Sequence, residues 1–527
     1  MAGNPHIEFA GDFSLENITI HNHEDNLAVD IKGLVVEFNI YESIFANALT
    51  GSLVISDSTG LIGKLPVQGT ERLTFKLSTP GTLPIDCTEE SGNPMYVYAV
   101  SDKQQDGDTK EIYTLHFASR EFLRNIRTRV SQAYSGRINE MVASILGDEN
   151  YLDSRKTLKV QKTRNQDKIV IPNMHPFQAI NMLQKRALAD NSNSAGYYFY
   201  ETPRGFHFRS WESMFTDSRG NQRVAKQSFE YMPLNMTDDM VNQGNPKKNK
   251  ITHEYQSVEG YRFLNSSHDT AAMQAAGTYG HRVISHNLYD KSYKESDYHY
   301  HNYFNDTKHL DGNKVPVVST PVDFDDKNIS DYPESKVSVM PTSRFIHGED
   351  TGAFGIDVEQ DALTEASRLS QKNQVVAGTR LEMTVKGQSY LEVGDVIQFN
   401  LQTVENKKNS EGKFDPQYSG RYVITKMRHR VTTTEYINVF ELIKDSVASA
   451  YRTNNSKTYP GKKARKDKGI VQDISWQDDI GTMDGYYPLI PLSLLEDFLE
   501  RSPTNTLTER RAVPHHNFLI NSITNIT

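Results

Sequence analysis

Leu391-Glu-Val-Gly-Asp-Val-Ile-Gln-Phe-Asn-Leu-Gln-Thr403 reads as a β-strand, and the chain contains its pattern twice. Positions Ile397, Phe399, Leu401 and Thr403 follow the two-residue period of a half-buried strand. Leu73, Phe75, Leu77 and Thr79 repeat the series Leu/Ile-x-Phe-x-Leu-x-Thr, 324 residues earlier when Phe75 is set against Phe399. Later pairs keep nearly that offset. Tyr96-Val97 matches Tyr422-Val423 at 326 residues, and Tyr113-x-x-x-Phe117 matches Tyr436-x-x-x-Phe440 at 323. The pattern predicts a duplicated β module with other material between the copies.

Bulk properties narrow the function classes. With 527 residues the chain is too long for one core, so several domains are expected. Tyr 27 and Phe 23 against two Trp favour strands over helical bundles. A mean hydropathy of −0.61 describes a polar chain that can still fold. A net charge of −9 argues against binding nucleic acid by phosphate neutralisation. The single cysteine, Cys87, rules out an internal disulfide framework. The first residues have neither the basic nor the apolar region of a signal peptide, and no apolar run nears the ~20 residues of a membrane-spanning helix. A soluble product made in a cytoplasm is expected.

In chain order, residues 1–120 read as a hairpin-rich first β-barrel, with strands at 34–40, 53–55, 72–77, 95–100 and 111–117. Residues 121–225 read as an α+β domain. One helix is expected from an N-cap at Ser135 to a left-handed Gly147, with Ile138, Met141, Val142, Ile145 and Leu146 buried. A second starts at Pro176, with Phe177, Ile180, Leu183 and Ala187 on one face. A hairpin follows, 196–201 and 205–209, turning at Thr202-Pro-Arg-Gly205. Residues 226–295 begin a second barrel, with strands at 251–255 and 279–284. Residues 296–355 are a polar insertion. Residues 356–445 complete that barrel after a helix whose apolar face is Val358, Ala362, Leu363, Ala366 and Leu369. Residues 446–527 are a linker, a basic run (462–468) and an arm with the apolar stretch 486–498.

Candidate chemistry is sparse. Gly60-Leu-Ile-Gly63-Lys64 lacks phosphate-loop spacing, and Leu65 stands where a magnesium-binding hydroxyl is needed, so no cofactor is expected. His299 and His301 could share an ion if both lie on one strand face, but a solvated polar loop explains them as well. No nucleophile elbow occurs, and no carboxylate pair stands out as a glycosidase couple. Tyr and Phe residues at 197–208 could form a sugar platform, although alternating aromatics more often fill a hairpin core.

Several stretches are similar to a known family. Pro176-Phe-Gln-Ala-Ile-Asn-Met-Leu183, Tyr198-Phe-Tyr-Glu-Thr202 with Gly205-Phe-His-Phe-Arg-Ser210, and Leu391-x-Val-Gly-Asp-Val-Ile397 resemble the baseplate hub protein of contractile-tailed, T-even-type phages and their cyanophage relatives. The resemblance covers about residues 1–445, leaving the C-terminal arm without a counterpart. It implies a mixed β and α+β fold, with two similar tube-type barrels flanking an α+β domain. It also implies a non-enzymatic homotrimer in the virion tail baseplate, whose six barrels imitate a six-fold ring. Its partners would be the tail tube, the central spike and baseplate wedge proteins, with DNA passing through the lumen unbound. The tube-barrel signature would be Leu73, Phe75, Leu77, Gly394, Asp395, Ile397, Phe399 and Leu401. That of the α+β domain would be Pro176, Tyr198, Phe199, Glu201, Gly205, Phe206 and Phe208. A wall-degrading tail enzyme and a carbohydrate-binding attachment module are the alternatives.

Overall fold

The computed structural model describes residues 11–448 apart from 23, 25, 26, 66–68, 165, 193, 218, 232–253, 266–269, 288–290, 292, 314–328, 343–357 and 404–413. The basic run and the apolar stretch of the C-terminal arm lie outside the described residues.

The N-terminal region holds β1 (Ser14–Leu15), β2 (Thr19–His21), β3 (Ala28–Asp30), β4 (Val35–Ser43), β5 (Thr50–Asp57), β6 (Arg72–Ser78), β7 (Ile85–Cys87), β8 (Met95–Asp106) and β9 (Lys110–Ser119). Alternation in β6 buries Leu73, Phe75 and Leu77 and turns Thr74 and Lys76 outward. Phe75 meets Phe38 edge-on with ring centroids 4.7 Å apart, and Phe117 at 5.8 Å. Such contacts add directional packing to the burial of large apolar area.

An α+β region follows. β10 (Val130–Arg137) pairs antiparallel with β12 (Gln166–Met174), while β11 (Leu158–Val160), β13 (Tyr197–Thr202) and β14 (Gly205–Ser210) form a three-stranded sheet. The apolar stripe of helix Ile138–Gly147 is buried as expected, but its ends differ. Ser135 lies in β10, because the ladder continues to Arg137↔Gln166 and keeps these residues extended. Gly147 is the last helical residue, and extended Asp148 caps the helix. Pro176 occupies the first position of helix Pro176–Gln184, and Gln178 accepts from the His175 N–H at 3.4 Å.

β15 (Gln227–Tyr231) and β16 (Val258–Asn265) open the second β region. Residues 280–295, read from sequence as part of the second barrel, belong elsewhere. β17 (Gly280–Asn287), β18 (Tyr293–His299) and β19 (Val337–Thr342) form a sheet of their own, ordered β18-β17-β19. Its core of Met273, Tyr279, Val283, Tyr298, Tyr300 and Phe304 includes Ala366 of helix Val358–Ala377. Leu369 is half-buried, and the side chains of Val358, Ala362 and Leu363 lie outside the described ones. Glu254 and Tyr255 form a helical turn rather than a strand.

The second β region is completed by β20 (Thr379–Lys386), β21 (Val396–Leu401), β22 (Gly420–Thr432) and β23 (Tyr436–Lys444). Its antiparallel order β16-β20-β23-β22-β21 reproduces β4-β5-β9-β8-β6 strand for strand. Two irregularities recur as well. β4 and β16 each pass over one residue, at Val36 and Glu259, and β8 and β22 each pass over one, at Tyr98 and Thr425. Shared bulges fix equivalence more firmly than matching letters. The 324-residue offset holds between β6 and β21. However, Leu73↔Met95 corresponds to Ile397↔Tyr422, so Met95 rather than Tyr96 is the counterpart of Tyr422. Likewise Val97↔Phe117 corresponds to Ile424↔Leu442, so Phe117 answers to Leu442 and not to Phe440. A one-residue slip moves a side chain to the other face and a two-residue slip does not.

β4 pairs antiparallel with β22 from Ser43↔Lys426 to Glu37↔Thr432, joining both copies in one 15-stranded sheet. The fold is thus mostly β with helices between, as expected. Its ladders form no closed barrel among the described residues. An isolated bridge, Glu230↔Ser257, stands between β15 and the start of β16.

Candidate functional site: the junction between the modules

The turn ahead of β21 is the meeting point. Leu391 and Val393 are buried in the core of the second copy. Gly394 has φ +85°, and a Cβ there would stand 2.4 Å from the Tyr200 hydroxyl of β13. Both the left-handed backbone and the close approach require glycine. Asp395 accepts from the Glu392 N–H at 2.9 Å and pairs with Lys226 Nζ at 2.7 Å, fastening the start of β15. Burial raises the Asp395 carboxyl above its ordinary range, and Lys226 opposes the rise.

Glu392 behaves oppositely. Burial would raise it, but Lys159 at 3.5 Å and Arg204 at 3.2 Å hold it near 2. Arg204, in the β13–β14 turn, also donates to the Ser389 carbonyl at 3.1 Å. Ser389 and Thr79 bond reciprocally, Thr79 N–H to Ser389 Oγ at 3.0 Å and Ser389 N–H to Thr79 Oγ1 at 3.1 Å. Thr79 follows β6, so the repeated strand of one copy is tied to the loop that precedes its counterpart. Gly205, at φ +114°, would place a Cβ 2.3 Å from the Thr157 carbonyl.

A second tie is ionic and dry. The Lys156 side chain is 6% exposed, between Glu121 at 2.8 Å and Glu201 at 2.5 Å. Glu201 also accepts from Ser119 Oγ at 2.7 Å and from the Leu49 N–H at 2.8 Å. One β13 carboxylate therefore holds the ends of β5 and β9. Burial raises Glu201 against the pull of Lys156. Glu121, also desolvated, is held below its ordinary range by Lys156 and Ser154. Burial would lower Lys156, but its two carboxylates raise it. A third tie crosses the β4–β22 ladder: His429, fully buried, faces Glu42 Oε1 at 2.9 Å and the Tyr436 hydroxyl at 2.7 Å.

The residues expected from sequence fall around these ties. Ile397 and Phe399 are buried beside the turn, and Leu401 is half-buried. Tyr198, Phe199, Phe206 and Phe208 are at most 6% exposed, so they pack the core and present no sugar platform. Pro176 is buried at its helix start. His299 closes β18 and His301 sits in the helix Tyr300–Tyr303, so the shared strand face expected for an ion is not formed. His299 Nδ1 lies 2.8 Å from the Ser330 carbonyl oxygen. No group of three or more His, Cys, Asp or Glu gathers to hold a metal among the described residues. Burial pushes the Cys87 thiol up, which keeps it unreactive. Lys156, Glu121, His429, Glu42, Arg204 and Glu392 were not visible in the sequence, because burial of a charge leaves no local pattern.

No family model matches the chain. It is 21% identical over 442 residues to the "Probable baseplate hub protein gp334" of Vibrio phage KVP40, covering 81% of this chain and 93% of that one. Among solved structures it is similar to a tail protein from Neisseria meningitidis, with a TM-score of 0.46, 9% identity, and coverage of 81% of this chain and 96% of that one. The 43 kDa tail protein of prophage MuSo2 from Shewanella oneidensis gives 0.45, 9%, 82% and 100% in the same order. The resemblance carried by residues 176–183, 198–210 and 391–397 is therefore to the family of the curated relative, the phage baseplate hub proteins.

Proposed function

We propose that this chain is the structural hub of a contractile phage tail baseplate. Three copies would place six β modules in a pseudo-six-fold ring that joins a hexameric tail tube to a trimeric central spike. The observation that supports this reading most is the duplication itself: two five-strand modules with one strand order and two shared bulges, joined edge to edge. A three-fold assembly of duplicated modules is the simplest closed arrangement that meets six-fold and three-fold partners at once. A net charge of −9 favours a lumen through which DNA passes without sticking.

In this reading residues 1–120 and 226–265 with 379–445 are the two tube-type modules. Residues 121–225 clamp them together, and β17, β18 and β19 belong to an insertion. Leu73, Phe75, Leu77, Ile397, Phe399 and Leu401 pack the modules, Gly394 and Asp395 shape the turn, and Glu201 and Gly205 anchor the clamp. Wedge proteins would meet the outer surface. Light scattering of the purified chain, alone and with the spike protein, tests the reading. A trimer or a trimeric complex is expected, and a strict monomer in both cases overturns it. A peptidoglycan clearing assay is expected to show no activity.

A further inference from the structure

One buried carboxylate lies outside the ties described above. Glu212, in the helix Trp211–Phe215, is 3% exposed, and its Oε1 makes no hydrogen bond of normal geometry. Three other parts of the chain face it. Ser192 precedes β13 and Tyr197 lies in it, Lys308 and His309 belong to the loop 307–313, and Asp445 follows β23. Burial pushes Glu212 up to about 7. Ser192, the Lys308 N–H and His309 oppose the rise, and the Asp445 charge adds to it. Asp445 does not give way. Burial would raise it too, but His309, Ser446 and the Leu310 N–H hold it below its ordinary range. Beside Asp445 stands Asp311, paired with Arg421 at 3.4 Å and Lys444 at 3.6 Å.

The loop lies across the residues that follow β23. Asp445 faces His309 Nδ1 at 3.1 Å and accepts from the Leu310 N–H at 3.1 Å. Ser446 Oγ accepts from the Asp311 N–H at 2.7 Å. Asn313 and Val447 exchange main-chain hydrogen bonds at 3.2 and 3.1 Å, and Asn313 Nδ2 donates to the carbonyls of Val447 at 3.2 Å and Ala448 at 3.1 Å. These contacts are polar. The core of the second copy takes Trp211, Met214 and Phe215 from the helix, Tyr198 and Tyr200 from β13, and Leu442 and Ile443 from β23, but only Leu310 from the loop. Of the parts around Glu212, the loop is therefore the least held by apolar burial and the first to lift.

We propose that residues 307–313 are a strap over the point where the chain leaves the second module, and that ionisation of Glu212 lifts it. Below the ordinary glutamate range the carboxyl is protonated with the strap open or closed, so pH does not bear on closure. Above that range water stabilises the carboxylate in the open form alone. Opening then rises about tenfold per pH unit, until the closed form also ionises near 7, and levels off beyond. With the strap open, Asp445 to Ala448 lose these partners, and the path of the chain past Val447 is no longer fixed. The inference does not rest on the ring reading.

Hydrogen-exchange mass spectrometry of the full chain at pH 5 and pH 8, corrected for the intrinsic rate, reads the strap. Peptides carrying the amides of Leu310, Asp311, Asn313 and Val447 are expected to lose protection by about tenfold or more at pH 8, while β22 and β23 keep theirs. Glu212→Gln keeps the shape and cannot ionise, so equal protection at both pH values is expected of it. The wild-type profile is a second reading that needs no variant: exchange should rise from pH 5 to 7 and level off above. Equal protection at pH 5 and 8 in the wild-type chain, the same loss in Glu212→Gln, or a loss that spreads equally to β22 and β23 overturns the proposal.

Discussion

At the scale of single residues, the junction depends on charges that have lost their water. Lys156→Met would leave Glu121 and Glu201 facing each other without a cation. A loss of about 3–5 kcal/mol is expected, read from the urea midpoint. Replacing both carboxylates as well, with Glu121→Gln and Glu201→Gln, should recover much of it, because the cost lies in uncompensated charge. Since Glu121 is held low, its contribution is present above the ordinary glutamate range and lost as pH falls through its lowered value. Glu212 has the opposite sign. Burial pushes it up to about 7, so its protonated form suits the fold below pH 4.5 and the stability is lost as pH rises through about 7. Glu212→Gln should therefore leave stability unchanged at pH 4.5 and raise it at pH 8, by about 3 kcal/mol at most. Melting temperature against pH for both proteins checks this.

At the scale of elements, the turn before β21 and the β4–β22 ladder are the parts that fix one module against another. Gly394→Ala should cost about 1–3 kcal/mol, from the left-handed backbone and the collision with Tyr200. The Tyr200 hydroxyl makes no hydrogen bond of normal geometry, so Tyr200→Phe should be nearly neutral. In the Gly394→Ala background it should restore part of the loss, and a double-mutant cycle measures that coupling. Val431 pairs with Phe38 in the ladder, and Val431→Pro removes an N–H where β22 has neighbours on both sides. The expected result is a calorimetric transition split into two, as the copies unfold separately. Much of this was legible in the sequence. The 397–401 alternation marked a strand, the stripe at 138–146 marked a helix, and the turn glycine 205 was visible, whereas Gly394 lay in a stretch read as strand that becomes one only from Val396. The bulges were not visible, because a passed-over residue changes hydrogen bonding and not letters. The β8 and β9 counterparts were misaligned by one and two positions because the connections between strands differ in length: Leu73 to Met95 spans 95 − 73 = 22 positions and Ile397 to Tyr422 spans 422 − 397 = 25. Glu201 was visible as a residue, but its partners Lys156 and Ser119 are 45 and 82 positions away.

At the scale of the whole molecule, two similar modules and a clamp make a unit whose shape is repeated and whose surface is not. If the chain lines a channel as proposed, it should hold duplex DNA weakly. Filter binding at physiological salt is expected to show no retention beyond the non-specific range of about 10⁻⁴ M or weaker. Tight retention, lost at high salt, would instead assign the chain a nucleic-acid surface. The duplication also explains why so little of the fold could be read from either half alone, since β4 finds its second neighbour only in β22, nearly four hundred positions later.

One consequence of the shared bulges concerns what a six-part ring can signal. At one equivalent position the modules carry Arg428 and Ser101, at another Met427, which is buried, and Val100, which is exposed. A circle built from three chains would therefore alternate, at that position, between an arginine paired with Glu37 and a serine, while keeping one outline of strands at every step. A tube subunit that recognises only the outline would find six identical seats. A spike that recognises the charge would find three. In the proposed ring, the drift between the two copies would act as a form of addressing, marking every second seat without disturbing the shared geometry.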